Sequence, residues 1–491
     1  MEWINRKIEK TNGSGPTKIL QFGEGNFARA FADWMIDRAN SAGVYDGRIV
    51  VCQPASVSTE KRDLLNSQDC MYTVLMRAEE EGRSAEKADV VTSISRCLNA
   101  MADPDELIAL AKSPDLAVIL SNTTEAGITY RSGEKMEDFP GVTFPAKLTR
   151  LLYERYRAFD GDKSAGLLFL PMELIDRNGD ALREIMRQIG RDWELGDEFE
   201  EWLLGANHFA NTMVDRIVTG FPTEESDEIM EKLGYRDRFI VTCESYCQWI
   251  IEGDLAWAEN FPIHKANKAV IWTDNLKEYK TRKVRILNGA HTSTVPSGIL
   301  MGYETVRDLM QDKEVANFMK NLLSEEVIPT LRGERTELEA YAASVLERFN
   351  NPYIHHRLSD ISMNSVSKYA VRCLPSIDAY YKRFGEIPER LAFSLACLLR
   401  FYRPRQEGGK FVGSNENGET YVIRDAESVC VKMAEHWTAS KAQEAVRSIL
   451  NDKDLWGEDT PGKIPGLSEA VGNLVEAMER TPIRELMLKL Q

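Results

Sequence analysis

Long apolar runs are missing from this chain. The longest, around residues 165–170 and 391–399, fall well short of the ~18 residues that a membrane span needs, which predicts no membrane partner. A basic excess is missing too. Asp and Glu number 77 against 61 Lys and Arg, a formal charge of −16, and the sequence pI is about 5.1. With no surplus cations to displace counterions from phosphates, wholesale nucleic-acid binding is excluded. The eight cysteines form no CxxC pair, and Cys243/Cys247 is the only close spacing, so reduced, mostly buried thiols are expected and no metal site. Histidine is scarce at six, and the adjacent His355 and His356 would diverge by about 100° on a helix, too far to share one metal. Residues 1–7 carry no apolar signal-peptide core, which predicts a cytoplasmic protein. Neither a repeat period nor a low-complexity tract is present. What is there is ordinary soluble composition, 43% hydrophobic and 28% charged, over 491 residues, enough for two to four domains at roughly 100–200 residues each.

The first third alternates β-rich runs with helical patterns. Residues 18–22 (KILQF) form an apolar run that ends in a glycine loop, and residues 27–39 then place Phe27, Phe31, Trp34, Met35 and Ala39 at helical spacing. Strands are expected at 48–52, 116–121 and 166–170, with a helix over 146–156. Residues 71–76 and 90–94, separated by the charged segment 77–89, read as an inserted hairpin. Strands spaced by helices imply βαβ units and a mainly parallel sheet. After about residue 275 strand signals fade, and helical spacing recurs in 284–300, 315–323, 338–349, 391–401, 428–437, 442–450 and 467–478.

Gly23-Glu24-Gly25-Asn26-Phe27-Ala28 fits GxGxxA directly after a strand and before a helix. The first glycine permits the tight turn, the second lets backbone approach a pyrophosphate, and the small third residue packs helix on sheet. The helix N-terminus adds free N–H groups and positive dipole for the phosphates. Glu24 brings a negative charge into this loop, so its side chain must point away or be paired. The next strand ends Val51-Cys52-Gln53-Pro54, without the acidic residue that binds ribose hydroxyls, and Gln53 is the candidate in its place. The expected class is α/β: a Rossmann-like dinucleotide-binding domain over residues 1–278, then a mostly α-helical substrate and catalytic domain over 279–491.

Lys283, Asn288 and His291 are the chemically informative set in the second part. At about 100° per residue they fall at about 0°, 140° and 80° on a helix, one shared face. That face offers an amine, a carboxamide and an imidazole to one small polar ligand, or else is a solvated helix surface. Hydride transfer to or from an alcohol carbon needs a base for the hydroxyl proton and a donor for the oxygen that gains charge. Lys283 suits the first task if its pKa is depressed, Asn288 the second, and His291 orients the oxygen.

The spacing Lys283-x4-Asn288-x2-His291 resembles the catalytic signature of the mannitol dehydrogenase family of polyol-specific long-chain dehydrogenases. The glycine loop with Phe27 and Arg29, the run 211–217 (NTMVDRI), Arg348-Phe349-x-Asn351-Pro352, and Lys368 through Leu374-Pro375 resemble further family segments, in order along the chain. The runs 21–27, 121–127, 145–152, 173–176 and 287–292 narrow the resemblance to members acting on sugar acids. It implies NAD-dependent interconversion of D-altronate and D-tagaturonate by a lysine acid/base without metal, in a monomer or small homo-oligomer. Fructuronate reduction or mannitol-type oxidation are the alternatives within the class, and a non-catalytic dinucleotide-binding protein the one outside it. The resemblance further implies Lys283, Asn288 and His291 as catalytic residues. It assigns Phe22, Gly23, Gly25, Asn26, Phe27, Gln53 and Asn122 to the cofactor, and Asp215 to the substrate. A sugar acid also needs a cation for its carboxylate; Arg357, Lys368 and Arg372 are candidates, with His355 or His356 near the pocket. One departure stands out: a second oxyanion-hole asparagine of mannitol-type members aligns with Leu174, which has no side-chain donor, leaving Asn122 as a substitute.

Overall fold

Alternation with a period of two runs through the first strands, and both phases are apolar. In the computed structural model, which describes residues 1–7, 15–80, 83–124 and 126–490, six strands build the central sheet. They are β1 (Thr17–Phe22), β2 (Arg48–Gln53), β3 (Ile94–Asn99), β4 (Val118–Ser121), β5 (Leu168–Pro171) and β6 (His208–Phe209). Their order is β3-β2-β1-β4-β5-β6, with every neighbour parallel. Ile19, Ile49, Val51 and Leu120 face a core with Phe31, Met35 and Trp249. Leu20, Phe22, Val50 and Cys52 face a second core with Leu148, Phe169 and Phe199. Burial on both faces explains why these strands read as continuous apolar runs. The strand order reverses between β1 and β4, so the loops that follow them flank the crevice where doubly wound sheets take ligands.

The inserted hairpin is built differently from the expectation. Tyr72–Glu80 and Arg83–Val91 are neighbours in a separate four-stranded sheet with Val218–Gly220 and Val241–Glu244, and residues 94–99 leave it to become β3. The charged segment read as a connection is therefore largely strand. Its charges pair across strands, Arg77 with Glu86 at 2.8 Å, which lets polar sequence occupy an extended edge. Residues 81 and 82 of that segment, and Glu125 of the run 121–127, lie outside the described residues. A third sheet pairs Asn211–Asp215 antiparallel with Gln248–Glu252, which runs parallel to Val270–Thr273.

The chain divides into two compact units, one of Met1–Ala78 and Ser84–Leu276, the other of Lys277–Gln491 with Glu79–Arg83. In the second, the helix Glu389–Phe401 is buried from Leu391 through Leu399 without a polar face. It packs against the helix Gly289–Leu300, where Ser394 Oγ donates to the Ser293 carbonyl at 2.8 Å. Strands also return here, contrary to the fading expected after residue 275. Arg405–Glu407, Lys410–Ser414 and Thr420–Val422 form an antiparallel sheet. Gly408 and Gly409, at φ 57° and 76°, make its first two-residue turn, a conformation other residues rarely adopt. Among the described residues no helix is long and apolar enough to cross a membrane.

Candidate active site

At the switch point the backbone is crowded enough to require glycine. Gly23 has φ +108°, and a Cβ on it would lie 2.5 Å from the Asn122 carbonyl oxygen. The two loops are tied there: Asn122 N–H donates to the Phe22 carbonyl and Gly23 N–H to that of Cys52, both at 2.9 Å. Gly25 caps the following helix in extended conformation; among the described residues no side chain caps the first turn, and a Cβ at Gly25 would meet open space. Free N–H groups under open space suit a pyrophosphate, so this loop fits a dinucleotide. Beyond β4, the buried Glu173 accepts from Ser121 Oγ, Thr123 N–H and Thr123 Oγ1, each at 2.9 Å, and holds the loop that carries Asn122.

Three further loop residues do structural work. Phe22 is buried in the core beside Phe144, at 5.1 Å between ring centroids. Asn26 Oδ1 accepts from the buried Arg29 at 2.6 Å, and Phe27 stacks on Phe31 at 4.9 Å. The helix widens to a π turn over Arg29–Asp33, directly after the loop. On that turn Asp33 is wholly buried; burial raises its pKa to about 7 against the hydrogen bond from Tyr72 Oη at 3.1 Å. The negative charge at Glu24 is paired, with Lys61 Nζ at 3.0 Å and Gln53 Nε2 at 3.3 Å. Burial pushes the Glu24 carboxyl up, and these partners outweigh it and hold it below its ordinary range.

The helix that starts at Leu276 is interrupted, within the second unit, by a π turn over Lys283–Asn288 before continuing as Gly289–Leu300. This corrects the uniform 100° spacing. An i→i+5 turn sets Asn288 above Lys283, where an α-helix would rotate it far round. His291, three residues on, is then a surface neighbour of Asn288, at about 5–6 Å between Cβ atoms. All three are half-buried. His291 stacks on Phe349 at 4.0 Å and meets His356 edge-on at 5.7 Å. Burial, then the charges of His356, Arg372, Arg348 and Lys368, depress its pKa well below the ordinary value, so the imidazole is neutral at neutral pH. Its Nε2 is buried with no hydrogen-bond partner among the described residues, which leaves a polar atom for a ligand to satisfy.

The expected substrate residues separate into those beside His291 and those away from it. Arg372 donates to Thr292 Oγ1 at 3.1 Å, and Lys368 donates to the Ile361 carbonyl at 2.9 Å. Burial lowers the pKa of both. His355 is exposed, and it is His356 that faces His291. Arg357 lines a different cavity of about 570 Å³ with Tyr303, Ser362 and Arg424, to which neither His291 nor Arg372 contributes. Asp215 is buried at the end of its strand opposite Gln248, in the first unit. Leu174 is 70% exposed. Two neighbours of His291 received no role from the sequence: Arg348, quoted only as part of a motif, and Phe349, whose ring orients the imidazole. Among the described residues no three His, Cys, Asp or Glu side chains are grouped to hold a metal.

A doubly wound sheet with an open glycine loop, in one chain with a helix that presents amine, amide and imidazole, is the equipment of an oxidoreductase acting on CH–OH groups. Sequence profiles described as the mannitol dehydrogenase Rossmann domain and C-terminal domain match residues 17–265 and 275–479. The chain belongs to the mannitol dehydrogenase family. It is 40% identical over 496 aligned positions to altronate oxidoreductases of Escherichia coli O7:K1 (strain IAI39 / ExPEC) and O139:H28 (strain E24377A / ETEC), covering all of both chains in each case. A D-sorbitol dehydrogenase in substrate-free form shares the fold at 22% identity and TM-score 0.80, over 98% of this chain and 99% of that one. A Pseudomonas fluorescens mannitol 2-dehydrogenase, solved with NAD and D-mannitol, does so at 22% and 0.65, over 100% and 99%.

Proposed function

We propose that this protein interconverts D-altronate and D-tagaturonate, with NAD as the redox partner and Lys283 as the proton-transfer group. The observation that carries the substrate class is the set of cations whose charges act on His291, namely Arg348, Lys368 and Arg372. The hydroxyls of a neutral polyol offer such a cluster only neutral acceptors, whereas the carboxylate of a sugar acid matches its charge and accepts stronger, charge-assisted hydrogen bonds. The full-length likeness to altronate oxidoreductases supports the same reading.

NAD, when bound, supplies the hydride acceptor for oxidation, and its reduced form the donor for reduction. The Gly23–Gly25 loop and the helix N-terminus after it would hold the pyrophosphate. Lys283 takes the hydroxyl proton of altronate in one direction and returns it to the carbonyl oxygen of tagaturonate in the other. Asn288 donates to that oxygen as it gains charge. His291, kept neutral and stacked on Phe349, hydrogen-bonds the substrate through Nε2. Arg372 holds the carboxylate, its own position fixed through Thr292.

Arg372→Ala tests the substrate class. It is expected to raise KM for tagaturonate at least tenfold and leave KM for the neutral ketose fructose unchanged. Equal effects on both substrates would remove the carboxylate from the account.

A further inference from the structure

In a doubly wound sheet, an acidic residue at the end of the second strand takes the adenosine 2′-hydroxyl and repels a 2′-phosphate. Here β2 ends in Gln53, a neutral side chain that is 3% exposed. Both ends of its amide are committed: Nε2 donates to Glu24 Oε1 and Oε1 accepts from Asn99 Nδ2, each at 3.3 Å. A carboxylate does stand at this place, delivered from elsewhere. Glu24, the second residue of the glycine loop, reaches the end of β2 through that Gln53 contact, and its Oε1 also receives Lys61 Nζ at 3.0 Å. Lys61, from the helix Glu60–Ser67, is the one ion-pair partner of this carboxylate among the described residues, and its charge is engaged there.

We propose that Glu24 selects NAD over NADP: its carboxylate accepts hydrogen bonds from the adenosine ribose hydroxyls, and its charge excludes a 2′-phosphate. The inference rests on the reading that this loop binds NAD. Lys61 holds Glu24 in place, and with Glu24 neutralised the same lysine becomes a cation open to a 2′-phosphate. The acidic function usual at the strand end has thus moved into the loop.

Calorimetric titration of the full chain with NADH and with NADPH tests this without turnover. The wild type is expected to bind NADH more tightly. In Glu24→Gln the ratio of the two dissociation constants should fall at least tenfold, mainly through tighter NADPH binding. Lys61→Glu should move the ratio the other way, weakening NADPH more than NADH. NADH binding with a ratio unmoved in both variants, or a wild type that prefers NADPH, would overturn the proposal while leaving the dinucleotide reading intact. A wild type that binds neither nucleotide would overturn the dinucleotide reading, and the proposal with it.

Discussion

Lys283 is asked to move a proton and nothing else. General acid–base catalysis contributes roughly 10²–10⁴-fold, so Lys283→Ala should lower kcat by about that factor while NADH affinity, measured by fluorescence titration, stays near the wild-type value. Loss of NADH binding in that variant would give the lysine a structural or cofactor role instead. Asp33 makes a second prediction at this scale. Its folded pKa of about 7 lies above the ordinary 3.8, so the native state holds the proton more tightly than the unfolded chain. The sign follows: this contribution is fully present below pH 3.8 and is lost as pH rises through 7, by up to about 4 kcal/mol. Asp33→Asn should flatten that loss in urea melts across pH 4–8. An unchanged slope would locate the charged form in a better-solvated site than the structure gives it.

Two π turns carry the elements that matter, Arg29–Asp33 behind the glycine loop and Lys283–Asn288 under the proposed catalytic face. Neither was legible in the sequence, because periodicity arguments assume 3.6 residues per turn and an extra residue in a single turn shifts the phase without leaving a compositional mark. The choice of Lys283, Asn288 and His291 came from their residue types and the family resemblance. The local helix geometry that sets Asn288 above Lys283 did not come from the sequence. The glycine loop was legible for a physical reason: its sequence requirements are steric and local. Gly23→Ala would drive a Cβ against the Asn122 carbonyl at an unfavourable positive φ. NADH affinity should drop at least tenfold in this variant with the far-UV spectrum retained; unchanged affinity would show that the two loops can separate at no cost.

At the scale of the molecule, what was readable followed burial. Strands covered on both faces and the central helix Glu389–Phe401 announce themselves as apolar runs. The small sheet at residues 405–422 is mostly exposed and polar, so its strands carry no such signal, although Gly408-Gly409 marks its turn. Long-range pairings were beyond reach for a different reason. Glu24 with Lys61, and His291 with Phe349 and His356, join positions 37 to 65 residues apart, which no local spacing rule relates. The cation cluster beside His291 is of this kind, and the proposed substrate depends on it. It is also a local exception in a chain of net charge −16. The most direct test of the whole account is NADH oxidation by EDTA-treated protein offered tagaturonate, fructuronate and fructose in parallel. Rapid turnover with tagaturonate alone is the result predicted. Preference for fructose, or no turnover with any of the three, would contradict it.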